Sequence, residues 1–523
     1  MSSVPEFPNP AHAAQVRGAS RLGRLDASTL CALGLVALLA AVSLTVRPLL
    51  PVDETRYLSV AWEMWWRGDF VLPWLNGAAY HHKPPLLFWL IHAGWAAFGV
   101  SETWPRLIGP VSAGVAILAL RKLSARLWPQ QAQQAGLGPL LLFGSAYLLL
   151  FQTGVMFDTL LLAALSLSWL SLHQALLGNR TGDWLLFAAA GALALLAKGP
   201  VALIYLLAPL LAWPWWRPQR SSAAVHGAQP GNTQWGGAQP ASAAWNSVGR
   251  RWPWALLAVL LALLPLLAWA LAASERGGEA FRQALLFGQT LDRVSGAMGH
   301  PRAGWFFLPF VLLLPFPWSL WPRAWRALRD APGLLRDRPA RFLLAPLAAG
   351  SLIHLLVSGK QVHYLIPLLA LGLLLLARLL VDDAAAAARA RRIAWVQGAV
   401  LALALLAASL ALRPEYPIND IGARLAAAER QGQALAYIGH YQGEFHFAGR
   451  LRSPVAELAP AQAASWAAAH PQGLLLARSK RLQLIAEAKP LAEFRYKRQP
   501  LYLLAASEFI EGHAQAIDPI AAP

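Results

Sequence analysis

Apolar residues along this chain fall in long unbroken runs rather than in alternation. Runs near 29–50, 106–125, 136–153, 159–177, 183–197, 200–216, 253–273, 303–321, 342–357, 364–381 and 393–412 stand out. A helix needs roughly 20 apolar residues to cross the hydrocarbon core, so the pattern predicts about eleven transmembrane helices. One further run, Leu86 to Val100, is shorter and carries His92. Read as a segment that dips into one leaflet, it keeps the later basic loops on one side. Between it and the first run, Asp53 to Arg67 mixes charge with Tyr57, Leu58, Val60, Ala61, Met64 and Trp65. That amphipathic pattern predicts a helix lying at the membrane surface. From Arg413 onward the pattern becomes mixed. Ala434–Gly439, Gly473–Ala477 and Leu501–Ala505 read as short strands, with helices over 456–469 and 480–488. The expected organisation is a tail at 1–28, a membrane domain at 29–412 and a small α/β domain at 413–523. The membrane domain contains a first loop at 51–105 and a Gly/Ala/Gln/Ser-rich flexible linker at 217–252.

Composition sharpens the class. Of 523 residues, 57% are hydrophobic and 13% charged, whereas soluble domains sit near about 45–50% and about 25%. A soluble globule, a disordered chain, collagen and a disulfide scaffold are all excluded. Cys31 is the single cysteine, so neither an internal disulfide nor a CxxC motif exists. A net charge of +18 in a soluble protein would point to nucleic acid. Here the basic residues gather in loops, among them Arg121, Lys122, Arg126, Arg250, Arg251, Arg323, Arg326, Arg338, Arg389, Arg391 and Arg392. The positive-inside rule places those loops and the tail in the cytoplasm. An odd number of spans then puts the α/β domain in the periplasm, and no nucleic-acid partner is expected.

The ionisable residues left over collect at the opposite ends of the spans. They are Asp53, Glu54, His81, His82, Lys83, Asp158, Lys198, His300, Lys360 and His363, with Tyr80, Arg302 and Tyr364 beside them. Singly, each has an ordinary reading. The acids are solvated loop residues, the lysines snorkel to headgroups, Asp158 caps a helix, and Lys198 ends one beside Gly199-Pro200. The Trp residues read mainly as an interfacial belt. Ionisable groups at membrane depth are costly and usually functional, so their shared depth predicts one site.

Several local motifs carry a resemblance. They are Asp53-Glu54-Thr55-Arg56-Tyr57, Trp62-Glu63-Met64, Gly68-Asp69-Phe70, Leu75-Asn76-Gly77, YHHKPPL at 80–86, Trp89 and Phe98-Gly99. Further along come Asp158-Thr159-Leu160, Ala197-Lys198-Gly199-Pro200, Pro317-Trp318-Ser319, and Ser358-Gly359-Lys360 with Tyr364 and Pro367. In this order the chain resembles the aminoarabinose transferase and protein O-mannosyltransferase group, integral-membrane glycosyltransferases of the GT-C fold. The likeness spans most of residues 25–412, and its first-loop part is the most specific.

The resemblance implies a mostly α, polytopic fold with an outer α/β domain. It implies transfer of a sugar from a polyprenyl-phosphate donor to a lipid A-like or other envelope acceptor. The site would face the periplasm of a bacterial inner membrane, and the enzyme would be a monomer. Asp53 matches the family's catalytic aspartate, with Glu54 beside it and Asp158 as a second acid. Lys83, Lys198, Lys360, Tyr364, Tyr80 and Arg302 are candidates to hold the lipid phosphate, since a leaving phosphate needs cations and donors. No cofactor is required by this reading. A divalent metal such as Zn²⁺ is an option through His82 and His300, because imidazole is a common ligand. His82 departs from the glutamate that many members carry before the KPP lysine. A transporter or flippase for a lipid-linked sugar is the rival reading. Such proteins place their ionisable groups at the bilayer midplane and often contain repeats. A non-catalytic envelope-assembly protein is a third, in which Asp53 is dispensable.

Overall fold

The computed structural model describes residues 25–217, 251–288, 302–381, 383–478 and 490–508. Most of the expected tail, most of the linker, His300 and the helix expected at 480–488 lie outside the described residues.

The chain is a polytopic membrane protein. Among the described residues, eight helical segments are long and apolar enough to cross a bilayer. They are Ala27–Val46, Thr103–Leu127, Phe157–Gly178, Thr181–Leu211, Arg251–Gln283, Arg338–Leu356, Val362–Leu380 and Ala385–Arg430. The first begins at Asp26, whose carboxylate accepts from the Ser28 and Thr29 amides at 3.1 Å, a side-chain N-cap. Arg121, at the far end of the second segment, donates to the same carboxylate at 3.0 Å. The ends of two segments are thereby pinned together.

Four of the expected spans look different in three dimensions. Those at 183–197 and 200–216 form one apolar segment bent at Gly199–Val201. The run at 136–153 is broken into Leu137–Phe143 and Ala146–Phe151. The run at 303–321 is equally interrupted, with a helix only over Leu308–Leu313 between two 3₁₀ turns. Prolines 315 and 317 end that helix. Irregular backbone in an apolar setting must find partners within the protein. It does so here: Gln397 donates to the Gly144 carbonyl at 2.7 Å, and the Ala146 amide donates to the Phe316 carbonyl at 2.8 Å. The short apolar run forms a helix over Leu86–Phe98 of 13 residues, about 20 Å long and short of a bilayer's width.

The amphipathic stretch is helical over Asp53–Arg67, ending at Gly68 with φ 68°, the left-handed conformation that glycine supplies at a helix C-terminus. This helix does not lie with one face open to water, as its pattern predicts. Leu58, Val60, Ala61 and Met64 are fully buried, and so are Ser59 and Glu63. The C-terminal domain covers its other face. Ser59 Oγ donates to the Gly443 carbonyl at 2.6 Å and accepts from the Phe447 amide at 3.1 Å. Trp62 Nε1 donates to the Leu451 carbonyl at 2.8 Å. Just beyond the helix, β1 (Trp74–Leu75) and β2 (Ala78–Ala79) form a small hairpin turning at Asn76-Gly77. The Asn76 amide exchanges two hydrogen bonds with the backbone of Val455, at 2.8 and 2.9 Å.

The C-terminal domain holds a five-stranded sheet in the order β4-β3-β5-β7-β6. Its strands are β3 (Leu435–Ile438), β4 (Ala456–Leu458), β5 (Leu474–Arg478), β6 (Ala492–Tyr496) and β7 (Gln499–Ala505). β3 runs parallel to β4 and β5, and β7 is antiparallel to β5 and β6. The three expected strands are present. The helix expected over 456–469 starts as a strand, β4, and is helical only over Ala463–Ala469. β6 escaped the sequence reading although its burial alternates residue by residue along the edge of the sheet.

Candidate active site

Four elements meet beneath the C-terminal domain. They are the start of the Asp53–Arg67 helix, the loop at Tyr80–Pro85, the first turn of Phe157–Gly178 and the end of Thr181–Lys198. The turn after Arg338–Leu356 adds Lys360, His363 and Tyr364.

Asp53 and Asp158 both stand in the first turn of their helices, but neither side chain caps its helix. The capping alternative for Asp158 is thereby removed, although a carboxylate there still gains from the helix dipole. Both acids are turned to other partners. Asp53 Oδ1 accepts from the guanidinium of Arg56 and from Tyr57 Oη at 3.3 Å. The Asp53 side chain keeps 46% of its exposure, so it is reachable from outside. Asp158 is buried, with Lys198 Nζ on its Oδ1 at 2.5 Å.

Aromatic rings connect the two acids. Tyr57 meets Phe157 edge to face with ring centroids 5.0 Å apart. The Lys83 ammonium stands over both rings at 6.0 and 5.9 Å, within cation–π range. Lys198 stands 5.1 Å from the Tyr364 ring, and His363 packs against Tyr364 at 4.8 Å. The His363 ring lies within electrostatic reach of Asp158, Lys198, Lys83 and Asp53 together. Pro84 packs beside Gly199, bringing the YHHKPPL loop against the Ala197–Pro200 turn. Gly199 has φ 74° and ψ −156°, a conformation open essentially to glycine alone. The glycine therefore fixes the direction in which Lys198 leaves its helix.

Lys360 is buried and donates to the Val357 carbonyl at 2.5 Å. An ammonium has three donors, and this is the one acceptor it meets among the described residues. Arg302 pairs its amide with the Ser358 carbonyl at 3.3 Å and lays its guanidinium over Phe306 at 4.3 Å. It stands beside the Lys360 turn. Tyr80 is buried with its ring 5.2 Å from that of His82 and 6.5 Å from Phe88, and it interacts electrostatically with Arg56 and Tyr57. The structure thus brings Asp53, Lys83, Asp158, Lys198 and Tyr364 together, with Tyr80 on the Arg56 side and Lys360 and Arg302 on the far side.

Glu54 goes elsewhere. Its carboxylate is buried against Arg47, which donates to both oxygens at 2.7 Å. The Leu50 amide donates to one of those oxygens at 3.0 Å and the Val155 amide to the other at 2.9 Å. Arg47 also reaches the Thr153 carbonyl at 2.9 Å. Burial works to raise the Glu54 carboxyl. The Arg47 charge and these bonds outweigh it and hold the group below the ordinary glutamate range. Glu54, expected to work beside Asp53, instead packs behind it with each oxygen doubly engaged. Arg47 looked like the end of an apolar run in the sequence. An arginine closing a span next to a DE pair was the available signal.

His81 and His82 lie with rings 4.2 Å apart, and burial lowers the affinity of His81 for a proton. Among the described residues no three His, Cys, Asp or Glu side chains converge as a metal site. His300 lies outside the described residues, so the second expected ligand has no described place beside His82.

Two acids and several cations gathered under the C-terminal domain define a class of polytopic membrane protein with a polar site at the ends of its spans. The similarities make it specific. Residues 82–228 match the dolichyl-phosphate-mannose-protein mannosyltransferase family. An undecaprenyl phosphate-α-4-amino-4-deoxy-L-arabinose arabinosyl transferase of Pseudomonas aeruginosa strain UCBPP-PA14 is 32% identical over 380 residues, 70% of this chain and 62% of the relative. Its counterpart in strain PAO1 is 32% identical over 404 residues, 74% of this chain and 66% of the relative. The chain therefore spans just under two thirds of the length of these relatives. The fold matches crystal structures of ArnT from Cupriavidus metallidurans, one apo and one bound to undecaprenyl phosphate. Each has a TM-score of 0.70 and covers 92% of this chain and 98% of that one, at 17–18% identity. The chain is thus ArnT-like in sequence and has the GT-C fold of that membrane protein.

Proposed function

We propose that this protein transfers a sugar from a polyprenyl-phosphate donor to a lipid A-like or other envelope acceptor, at the periplasmic face of a bacterial inner membrane. The observation that carries the reading is the continuous arrangement from an accessible carboxylate, Asp53, through Lys83 to the Asp158–Lys198 pair and Tyr364. In the reaction the acceptor oxygen attacks the anomeric carbon, the bond from that carbon to the phosphate oxygen breaks, and polyprenyl phosphate leaves. Asp53 takes the proton of an acceptor hydroxyl. Where the acceptor is itself a phosphate, Asp53 orients it and no proton moves. Lys83 and Lys198 face the charge that grows on the leaving phosphate. Lys360, whose ammonium meets one acceptor among the described residues, extends that cationic wall with Arg302 and Tyr364 nearby. Tyr80 borders Asp53 through Arg56. Glu54 acts as a positioning residue: it ties the Asp53 helix to the Thr153–Val155 turn from which the Asp158 helix starts. The names of the relatives make undecaprenyl-phosphate aminoarabinose the first donor to try. His82 and His300 are retained as ligands for a divalent ion, whose binding to the purified protein metal analysis will measure.

The test is turnover of a polyprenyl-phosphate sugar by the purified protein, with release of polyprenyl phosphate as the readout. Asp53→Asn is expected to lower kcat by about 10²-fold or more, the usual worth of a general base. Full activity in that variant removes Asp53 from the mechanism. Translocation of the lipid-linked sugar without its cleavage would favour the flippase reading.

A further inference from the structure

We propose that Gln442, in the C-terminal domain, is a positioning residue for Asp53 and acts through Arg56. The inference rests on Asp53 being the reactive carboxylate. Arg56 divides its terminal nitrogens between two domains. Nη2 donates to Asp53 Oδ1, within its own helix, and Nη1 donates to Gln442 Oε1 at 2.6 Å. The orientation of the Gln442 amide follows from chemistry, because a guanidinium only donates and so selects the amide oxygen. The Nε of Arg56 is buried and meets no acceptor among the described residues. The two terminal contacts, with the Tyr57 ring 5.5 Å away, therefore set where the guanidinium plane lies. Since Tyr57 and Arg56 both address Oδ1, the plane in turn fixes which Asp53 oxygen is left for the acceptor.

The loop that carries Gln442 is built for close approach. It follows β3, and the Gln442 backbone N–H donates to Glu444 Oε2 at 2.8 Å. Tyr441 is buried, accepts from the Phe445 amide at 3.1 Å and pairs with His446 at 2.9 Å. The next residue, Gly443, has φ 75°, and a Cβ there would come within 2.5 Å of Leu75 Cδ1 and 3.2 Å of Ser59 Cβ. Only glycine lets this loop press on the Asp53–Arg67 helix. The outer domain is therefore part of the geometry of the reacting carboxylate as well as a cover over it.

Gln442→Leu removes the acceptor at similar size, and Gln442→Glu keeps one. In Gln442→Leu, kcat is expected to fall about tenfold with the donor KM within about twofold, as for a misplaced reacting group. Gln442→Glu is expected to stay within about threefold of wild type. The reactivity of Arg56 toward phenylglyoxal, read by peptide mass, is expected to rise severalfold in Gln442→Leu alone. Unchanged Arg56 labelling in Gln442→Leu overturns the tether, whatever the substrate proves to be. Labelling that rises while kcat stays at the wild-type value overturns its role in positioning Asp53. A wild-type protein that turns over no polyprenyl-phosphate sugar refutes the proposed function instead, and the labelling still decides the tether.

Discussion

Replacing Glu54 by Gln tests how the site is held. The side chain keeps its shape but loses the charge. In the wild type each carboxylate oxygen accepts two bonds, from Arg47 and Leu50 on one and from Arg47 and Val155 on the other. A glutamine offers one oxygen and one NH₂. Whichever way it turns, two donors then face its NH₂. Arg47 stays buried without its counter-charge, the side chains of the pair being only 7% exposed each. Breaking one partner of such a pair costs about 3–5 kcal/mol. The lost charge-assisted bonds, about 1.5–3 kcal/mol each, are part of that sum and are not added to it. At roughly 2 °C per kcal/mol for a large chain, the melting midpoint should drop by about 6–10 °C. The protein carries its own reporter. Cys31 is the single cysteine and is 4% exposed, so a thiol-reactive dye in detergent reads unfolding directly. The pH dependence has a definite sign. A carboxyl held below its unfolded value contributes stability that is present above the ordinary glutamate range and lost as pH falls through the folded value. The gap between wild type and Glu54→Gln should be constant from neutral pH downward and close only below about pH 4. A variant melting within about 1 °C of wild type at pH 7 would refute the reasoning.

Lys198→Met should lower the midpoint and stop turnover, because it strands Asp158 in a buried site. Pairing it with Asp158→Asn should restore the midpoint but not turnover, and the dye melt with the activity assay separates the two. Gly199→Ala should cost about 1–3 kcal/mol through backbone strain alone, since its Cβ would stand an ordinary 3.8 Å from Pro84; a wild-type midpoint contradicts this. Asn76→Ala removes both bonds to Val455, so hydrogen exchange at the Val455 amide should speed up while exchange in β5 stays unchanged.

Much of this was legible in the chain, for identifiable reasons. Spans such as Ala27–Val46 and Phe157–Gly178 are written in local apolar length, which needs no partner to be read. The breaks at Gly144-Ser145 and around Pro315–Pro317 are harder. Their cost depends on acceptors and donors from elsewhere, such as Gln397, and these are invisible along the sequence. The Asp53–Arg67 helix shows the same limit from the other side. Its periodicity correctly specified a helix, but a helix lying at the membrane surface leaves out the partners of Ser59 and Trp62, which lie near residues 443–451. In the site, the residue types were readable one by one, and the distances that couple Asp158 to Lys198 and Tyr57 to Phe157 were not. Arg56 and Gln442 were missed for that reason: the bond between them joins residues 386 positions apart.

The adjacent acids Asp53 and Glu54 show why a motif cannot be divided into roles by spelling alone. On a helix, neighbours point about 100° apart, so a pair at the first turn addresses two environments. The outward member keeps 46% of its exposure and the inward one 7%. The inward carboxylate gains its value from what it cannot reach: water, and therefore substrate. It satisfies the amide of Val155, three residues before Asp158, and neutralises an arginine that also holds the Thr153 carbonyl. The Asp53 and Asp158 helices are thus fixed to one another beneath the site by Glu54, while Arg56 and Gln442 fix Asp53 from above. Both anchors bear on the same carboxylate from opposite sides, so loss of either should reduce turnover. Loss of the buried anchor should also destabilise the membrane domain. Loss of the upper one should leave its melting midpoint unmoved, because Gln442 lies partly exposed at the domain boundary.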